Sequence, residues 1–340
     1  TLGMENPYHY RNKAQYPVGI NKEGKPVMGV YAKRSHEIIP VENCKIQNEL
    51  SEQVAKDIFK FIEKNNISVY NEKKLTGTMR HIVIRIGAIT QEIMVILVVN
   101  DNNFQKEKEF IKFITEKYPQ IKTIIKNYNT KNTNVILGTE NETIYGPGYI
   151  FDILGDYKFK ISPLSFYQTN PVQTEALYEK ALEYANLKGT ETILDLYCGI
   201  GTIGIFASNK AKKVYGIEII ENAIKDAKEN AKLNNINNTE FYCGEVENIL
   251  PQIIKQNSIK PDVIFVDPPR KGLDTKTINT LLDLQPKKII YISCNPSTFA
   301  RDVAILNEKY TTKEVTPVDM FPFTRKYRVC CCFKQELEKE

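Results

Sequence analysis

The rhythm of hydrophobic and polar positions changes near residue 170. Before it, "YHYRNKAQYPVGI" and "PVMGVYA" flank the turn "NKEGK", so residues 8–32 predict a hairpin. Apolar spacing at Val54, Ile58, Phe61 and Ile62 predicts a helix over 47–65. A second hairpin joins "HIVIRIG" to "IMVILVV" through "AITQE". A helix near 104–117 and a β-rich stretch ending in "YGPGYIFDILGDYKFKISPLSF" complete an α+β half. After Asn170, strand-like runs ("ETILDLY", "KKVYGIEI", "TEFYCG", "PDVIFVD", "KKIIYIS") alternate with helical ones ("TIGIFASN", "NAIKDAKENAKLN"). Short buried strands alternating with helices predict a doubly wound, mostly parallel sheet. The fold expected is therefore α/β, with a smaller α+β domain over 1–164 and a Rossmann-like domain over 165–340.

Composition narrows the class. A chain of 340 residues with 42% hydrophobic and 26% charged residues supports two cores and is no disordered polymer. No apolar run approaches the ~20 residues of a bilayer-crossing helix. The seven cysteines, three of them adjacent at Cys330–Cys332, do not pattern as a disulfide framework, which predicts a reducing, cytoplasmic setting. A net charge of +5 is compatible with a polyanionic partner without requiring one. The chain opens on Thr1, with Met4 its first methionine, and reads as a segment of something longer.

The second half carries the candidate chemistry. In "ILDLYCGIGTIGIFA" an apolar strand ends in Asp195, and Gly199 and Gly201 permit a tight turn into a helix. The same glycines fit the dinucleotide fingerprint, weak evidence alone, and would also fit a plain turn of another α/β protein. The acid that opens this run, together with Glu218 at the end of the next strand, suits a nucleoside with two ribose hydroxyls and no pyrophosphate, as in S-adenosyl-L-methionine. Further on, "VDPPRKGL" ends a strand in Asp267, and Pro268 and Pro269 fix an extended loop. Arg270 after them suits a carbonyl or phosphate.

In "YISCNPSTFARDV" Cys294 sits between a strand and the Asn-Pro that opens a helix. A buried structural cysteine belongs inside an apolar pattern, whereas this edge position presents a thiol to a ligand beside a helix N-terminus. A thiolate that adds to carbon 6 of uracil turns the ring into an enolate with a nucleophilic carbon 5, which then accepts a methyl group.

Taken together, "ILDLYCGIGTIG", "VDPPRKGL", "SCNPSTFARD" and "VDMFPFT", in that order, resemble the bacterial RNA uracil-5-methyltransferases, which make 5-methyluridine in ribosomal and transfer RNA. "SPLSFYQTNP" resembles the segment that opens their catalytic domain, and "NPYHYRNKAQYPV" more loosely their central domain. The resemblance implies S-adenosyl-L-methionine as cofactor, Cys294 as nucleophile, and Gln168, Tyr197, Glu218 and Asp267 as cofactor contacts. It implies RNA as partner, with 23S ribosomal RNA ahead of transfer RNA, for a cytoplasmic monomer without membrane attachment.

Two departures stand out. Cys44 resembles the last of four cysteines that hold an iron–sulfur cluster in many members, and its three companions are missing from this chain, so no cluster and no other metal is expected. Where the family has a His-x-Glu whose glutamate removes the carbon-5 proton, this chain reads Lys326-Tyr327-Arg328. Arginine stays protonated and is no general base. Three explanations stand: another group does that work, the sequence is altered at this point, or the chain binds RNA and is impaired in turnover. Basic and aromatic residues in "YHYRNKAQY" and "RKYRV" could contact phosphates and stack on bases, or lie on solvated strand faces.

Overall fold

The computed structural model describes residues 1–257, 259–324 and 326–335, so Arg325 of the "RKYRV" stretch lies outside the described residues. The chain divides into two compact units, one of residues 7–153 and 160–164, the other of residues 1–6, 154–159 and everything from Ser165 onward. The N-terminal residues thus group with the second unit, unlike the division expected at 164/165. The reason is local: Leu2 bridges in parallel to Val318, and its carbonyl accepts the Gln173 side-chain amide at 3.2 Å. Residues 154–159 are held likewise, since Asn234 donates to the Lys158 carbonyl and accepts its N–H.

The first unit is built on β1 (Lys13–Ile20), β2 (Pro26–Tyr31), β3 (Ile38–Pro40), α1 (Glu49–Lys64), β4 (Met79–Ile86), β5 (Ile93–Val99), α2 (Glu107–Lys117), β6 (Ile121–Tyr128) and β7 (Glu140–Tyr145). Its sheet has seven strands in the order β3-β2-β1-β4-β5-β6-β7, antiparallel except for β5 against β6. Strand β1 begins only at Lys13, because residues 9–11 run beside 45–47 instead, where Lys45 O and Ile46 O accept the N–H groups of His9 and Arg11. Asn48 caps α1 by accepting the Ser51 N–H at 3.0 Å, and Glu49 and Lys64 complement the helix dipole at its two ends. The apolar stripe Val54, Ile58 and Ile62 then packs on Ile82, Ile84, Val95 and Leu97 of the sheet. Each such side chain contributes about 1.5–3 kcal/mol by leaving water. Strands β4 and β5 are buried along their whole length; β5 reads as a continuous apolar run, whereas Arg80, His81 and Arg85 interrupt the apolar pattern of β4.

A two-stranded sheet, β8 (Ile150–Leu154) with β9 (Tyr157–Ile161), comes before the main run of the second unit in the chain. That unit continues with α3 (Pro171–Ala185), β10 (Thr192–Leu196), α4 (Thr202–Ser208), β11 (Lys213–Glu218), α5 (Glu221–Leu233), β12 (Thr239–Cys243) and α6 (Val246–Asn257). It closes with β13 (Val263–Val266), α7 (Thr275–Leu284), β14 (Lys288–Ser293), α8 (Pro296–Leu306), β15 (Tyr310–Val318) and β16 (Arg328–Gln335). Strand order is β12-β11-β10-β13-β14-β16-β15, parallel through β14 and antiparallel thereafter. This is a Rossmann-like sheet, with the reversal of winding between β10 and β13 and with β16 inserted as the next-to-last strand. Cys330, Cys331 and Cys332 lie in β16, buried and free, where a thiol packs as a small hydrophobe. Among the described residues no helix is long and apolar enough to cross a membrane.

Candidate active site

The carboxyl ends of β10, β11, β13 and β14 converge on one edge of the second sheet, the place where open α/β sheets bind ligands. After β10 the chain turns sharply, with Tyr197, Gly199 and Gly201 all at positive φ. A side chain added at Gly199 would meet nothing, so this loop leaves an open cradle. Holding Tyr197 in that conformation costs roughly 1 kcal/mol, a strain of the sort found where a loop is shaped for a ligand. Glu218, at the tip of β11, accepts the Gly199 N–H at 3.1 Å on one oxygen and the Ile220 N–H at 3.0 Å on the other. Each oxygen keeps a second lone pair. Phe166, Gln168, Tyr197, Gly199, Thr202 and Asp267 line a cleft here. Asn170 sets the segment before α3 by capping that helix at Gln173 and donating to Met320 O.

Asp195 lies beneath the cradle, fully buried. One carboxylate oxygen accepts the Gly204 N–H at 2.8 Å, and the other has no partner among the described residues. Burial pushes its pKa up to about 8, so the acid is largely protonated at neutral pH. The native state therefore binds a proton that the unfolded chain gives up above the ordinary carboxylate range. Asp195 favours folding at acid pH, and that contribution is lost as pH rises toward 8. Asp195→Asn mimics the protonated acid. Its melting temperature relative to wild type should climb between pH 5 and pH 8, with an advantage of roughly 2 kcal/mol at the upper end. A difference independent of pH would mean that Asp195 is ionised in the fold.

The loop after β13 is fastened to α8. Arg270 O accepts the Asn295 side-chain amide at 3.0 Å and the Thr298 hydroxyl at 3.2 Å. Buried Asp302 accepts Leu273 N–H and the Tyr291 hydroxyl at 2.8 and 2.6 Å, and Arg301 reaches Lys271 O and Leu273 O. The Arg270 side chain is exposed, so in this loop its backbone makes the link to α8. Cys294 follows β14 directly and precedes α8, with its thiol half-buried. Ser293 accepts the Asn295 N–H, Asn295 caps α8 at Ser297, and Pro296 takes the first helical position. The thiol is thus held between two anchored residues.

Arg328 is the residue least expected here. It opens β16 and donates through one terminal nitrogen to both Asp267 oxygens, at 2.6 and 2.8 Å, with side-chain exposures of only 7% and 12%. Burial pushes the Asp267 carboxyl above its ordinary range, and the Arg328 guanidinium pulls against that. The Arg328 Nε–H is buried without a partner among the described residues. Register pairs Ser293 with Val329, so one step further sets Cys294 beside Arg328, and the arginine lies within electrostatic reach of that thiol. The structure thus brings together Gln168, Tyr197 and Asp267 in the cleft, with Glu218 hydrogen-bonded to its glycine loop. Cys294 is off the cleft lining, joined to it through Asp267 and Arg328.

The sequence profile of the tRNA (uracil-5-)-methyltransferase family matches residues 5–335 of this chain. The chain belongs to that family. Among its relatives is a protein of Bacillus cereus described as an uncharacterized RNA methyltransferase, 48% identical over 339 residues, covering 99% of this chain and 73% of the relative. A Clostridium tetani protein of the same description is 49% identical, covering 95% of this chain and 70% of its own. Among solved structures, the tRNA (uracil-54, C5)-methyltransferase of Pyrococcus abyssi, in complex with S-adenosyl-L-homocysteine, superposes with a TM-score of 0.82 at 30% identity. That match covers 98% of this chain and 78% of the other.

This RNA (uracil-5-)-methyltransferase gathers no group of three metal-binding side chains among its described residues. Cys44 is half-buried, and its backbone N–H donates to Glu52 at 2.9 Å. What motif reading missed in the methyltransferase is the Arg328–Asp267 pair. An arginine at a strand start gives no periodic signal, and only the unusual pairing of β16 with β14 shows which acid it meets.

Proposed function

We propose that the enzyme methylates carbon 5 of a uridine in RNA, 23S ribosomal RNA first, with Cys294 as covalent nucleophile. The observation that carries the reading is a half-buried thiol held at the sheet edge between the anchored Ser293 and Asn295, beside the loop that bears Asp267. The residues at the cradle fit S-adenosyl-L-methionine: the open turn at Gly199, the spare lone pairs of Glu218, and the cleft formed by Gln168, Tyr197 and Asp267. When bound there it supplies an electrophilic methyl group.

Cys294, once it has lost its proton, adds to uracil carbon 6, and the ring electrons move to the carbon-4 oxygen. Carbon 5 becomes nucleophilic and takes the methyl group. Loss of the carbon-5 proton then lets Cys294 leave. Glu218 orients the cofactor through its ribose and shapes the loop through Gly199. Glu218→Gln places an amide donor against a backbone N–H, and should weaken S-adenosyl-L-homocysteine binding about 10- to 100-fold by calorimetry. Unchanged affinity would take Glu218 out of the site.

Ribosomal RNA is put first because the first half and Cys44 resemble the ribosomal branch, and transfer RNA second because the Pyrococcus relative is named for it. The Arg328–Asp267 pair favours one qualification: with a guanidinium where the family places its base, proton removal is slow and the Cys294 adduct accumulates. The test mixes the chain with 23S ribosomal RNA or transfer RNA and isotopically labelled S-adenosyl-L-methionine, then denatures. Label is expected on ribosomal RNA, much of it in a denaturation-resistant protein adduct. Free 5-methyluridine alone would remove the qualification. No label on any RNA, with cofactor still bound, would overturn the reading.

A further inference from the structure

Asp302, on α8, is fully buried and takes two hydrogen bonds on each carboxylate oxygen. One oxygen accepts the Leu273 N–H and the Tyr291 hydroxyl, the other the Nε–H and a terminal N–H of Arg301 at 2.9 and 2.6 Å. All its acceptor positions are thus in use. The donors come from three separate segments, and each adjoins a residue of the proposed active site. Leu273 lies in the loop headed by Asp267, Tyr291 in β14 just ahead of Cys294, and Arg301 on α8, which opens just after Cys294.

Neither path from the carboxylate to the site has much slack. Pro268 and Pro269 fix the backbone between Asp267 and Leu273, and Pro269 O accepts the Gly272 N–H at 2.9 Å. Gly272, at φ +80°, lets that backbone pass the carboxylate. A side-chain carbon there would stand 2.6 Å from an Asp302 oxygen and from Arg301. On the other path only Ile292 and Ser293 separate Tyr291 from Cys294, and Cys330 and Val329 of β16 hold both in register. Phe299 of α8 meets the Tyr291 ring edge-on at 5.3 Å, so helix and strand are packed as well as hydrogen-bonded. Tyr197 of the cofactor loop packs on the same core as Leu273 and Tyr291.

We propose that Asp302 is a positioning residue for methyl transfer, fixing the Cys294 thiol against the loop that carries Asp267. It acts through Leu273, Tyr291 and Arg301, and its effect is one of distance. A displacement of about 1 Å at the reacting atoms costs on the order of 100-fold in rate. The proposal rests on the reading of Cys294 as nucleophile.

The test follows single-turnover transfer of isotopic label from S-adenosyl-L-methionine to whichever RNA, ribosomal or transfer, accepts it, counting adduct and free product together. Asp302→Asn should lower the plateau rate about 100-fold, with the half-saturating RNA concentration and S-adenosyl-L-homocysteine affinity within about twofold of wild type. Tyr291→Phe keeps the buried ring and removes one hydroxyl, so it should fold, with the plateau rate down about tenfold. Alkylation of Cys294 by iodoacetamide, read from the mass of its peptide, should quicken about threefold in both variants as the thiol leaves its seat. A carboxylate that served stability alone would move neither the rate nor the alkylation below the melting transition. If Asp302→Asn does not fold, Tyr291→Phe decides. Cys294→Ala runs alongside. If it is inactive while the other variants transfer label at the wild-type rate, the proposal is overturned and the nucleophile reading stands. A rate that falls only together with cofactor affinity likewise overturns it. If Cys294→Ala transfers label as wild type does, or wild type transfers none, the nucleophile reading fails and the proposal falls with it.

Discussion

Cys294→Ala is expected to lower methyl transfer to RNA on the order of 10⁴-fold or more and to abolish any protein–RNA adduct. The size follows from the chemistry. Carbon 5 of uracil is a poor nucleophile, and adding a thiolate at carbon 6 is what makes it a good one. No neighbouring side chain offers a substitute, because Ser293 is engaged with Asn295 and the hydroxyl of Thr298 with Arg270 O. The substitution should leave the fold intact, since among the described residues the half-buried thiol makes no hydrogen bond that anchors the loop. Melting temperature and S-adenosyl-L-homocysteine affinity are therefore expected to match wild type within error. Cys294→Ser serves as a second variant, nearly the same shape with a far weaker nucleophile. Label transfer at the wild-type rate in either variant would remove Cys294 from the mechanism.

The second large effect belongs to Arg328. Arg328→Met leaves Asp267 buried with no cation, and breaking a buried pair from one side costs about 3–5 kcal/mol. For a chain of this size that corresponds to a fall in melting temperature of about 10 °C. Adding Asp267→Asn to Arg328→Met removes the stranded charge, so the double variant should recover much of the loss. An additive double variant would mean that the two side chains do not depend on each other. Arg328→Glu asks the catalytic question. It sets a carboxylate beside Asp267, and two adjacent carboxyls cannot both ionise easily, so one is driven up toward the range of a useful base. The adduct should then resolve, and free 5-methyluridine should rise about tenfold relative to the adduct-bound label. If the partition of label stays as in wild type while cofactor still binds, Arg328 is not what slows release.

Much of the second unit was legible because parallel, buried strands leave continuous apolar runs, and because an acid or a thiol stands at or just past the C-terminal end of β10, β13 and β14. Asp195, Asp267 and Cys294 announce themselves that way. Helix α3 was harder to read, since it follows "QTNP" with little amphipathic contrast. Strand β16 was not legible at all. "RVCCCF" carries no alternation, and its cysteines spoke only against a disulfide framework; their burial in the sheet shows them to be core. In the first unit the helices follow their apolar spacing, whereas α2 starts later than expected, at Glu107, because Lys106 takes a left-handed conformation. Lys13 in "YRNK" read only as one of several scattered basic residues, because the strand that sets Arg85 opposite it lies some seventy residues away. Pairing across strands is information a linear reading does not hold.

The placement of β16 also bears on when the enzyme becomes competent. Cys294, directly after β14, is synthesised before Arg328, which opens the neighbouring antiparallel strand β16, and β16 lies between β14 and β15. A nascent chain that ends before residue 328 has its thiol at an open sheet edge, with the Asp267 carboxylate uncompensated. Only when β16 slides in between its neighbours does the edge close and the charge find its partner. An enzyme whose substrate is RNA is surrounded by RNA while it is being made, and in this order of assembly the Asp267–Arg328 pair forms only after β16 has been synthesised.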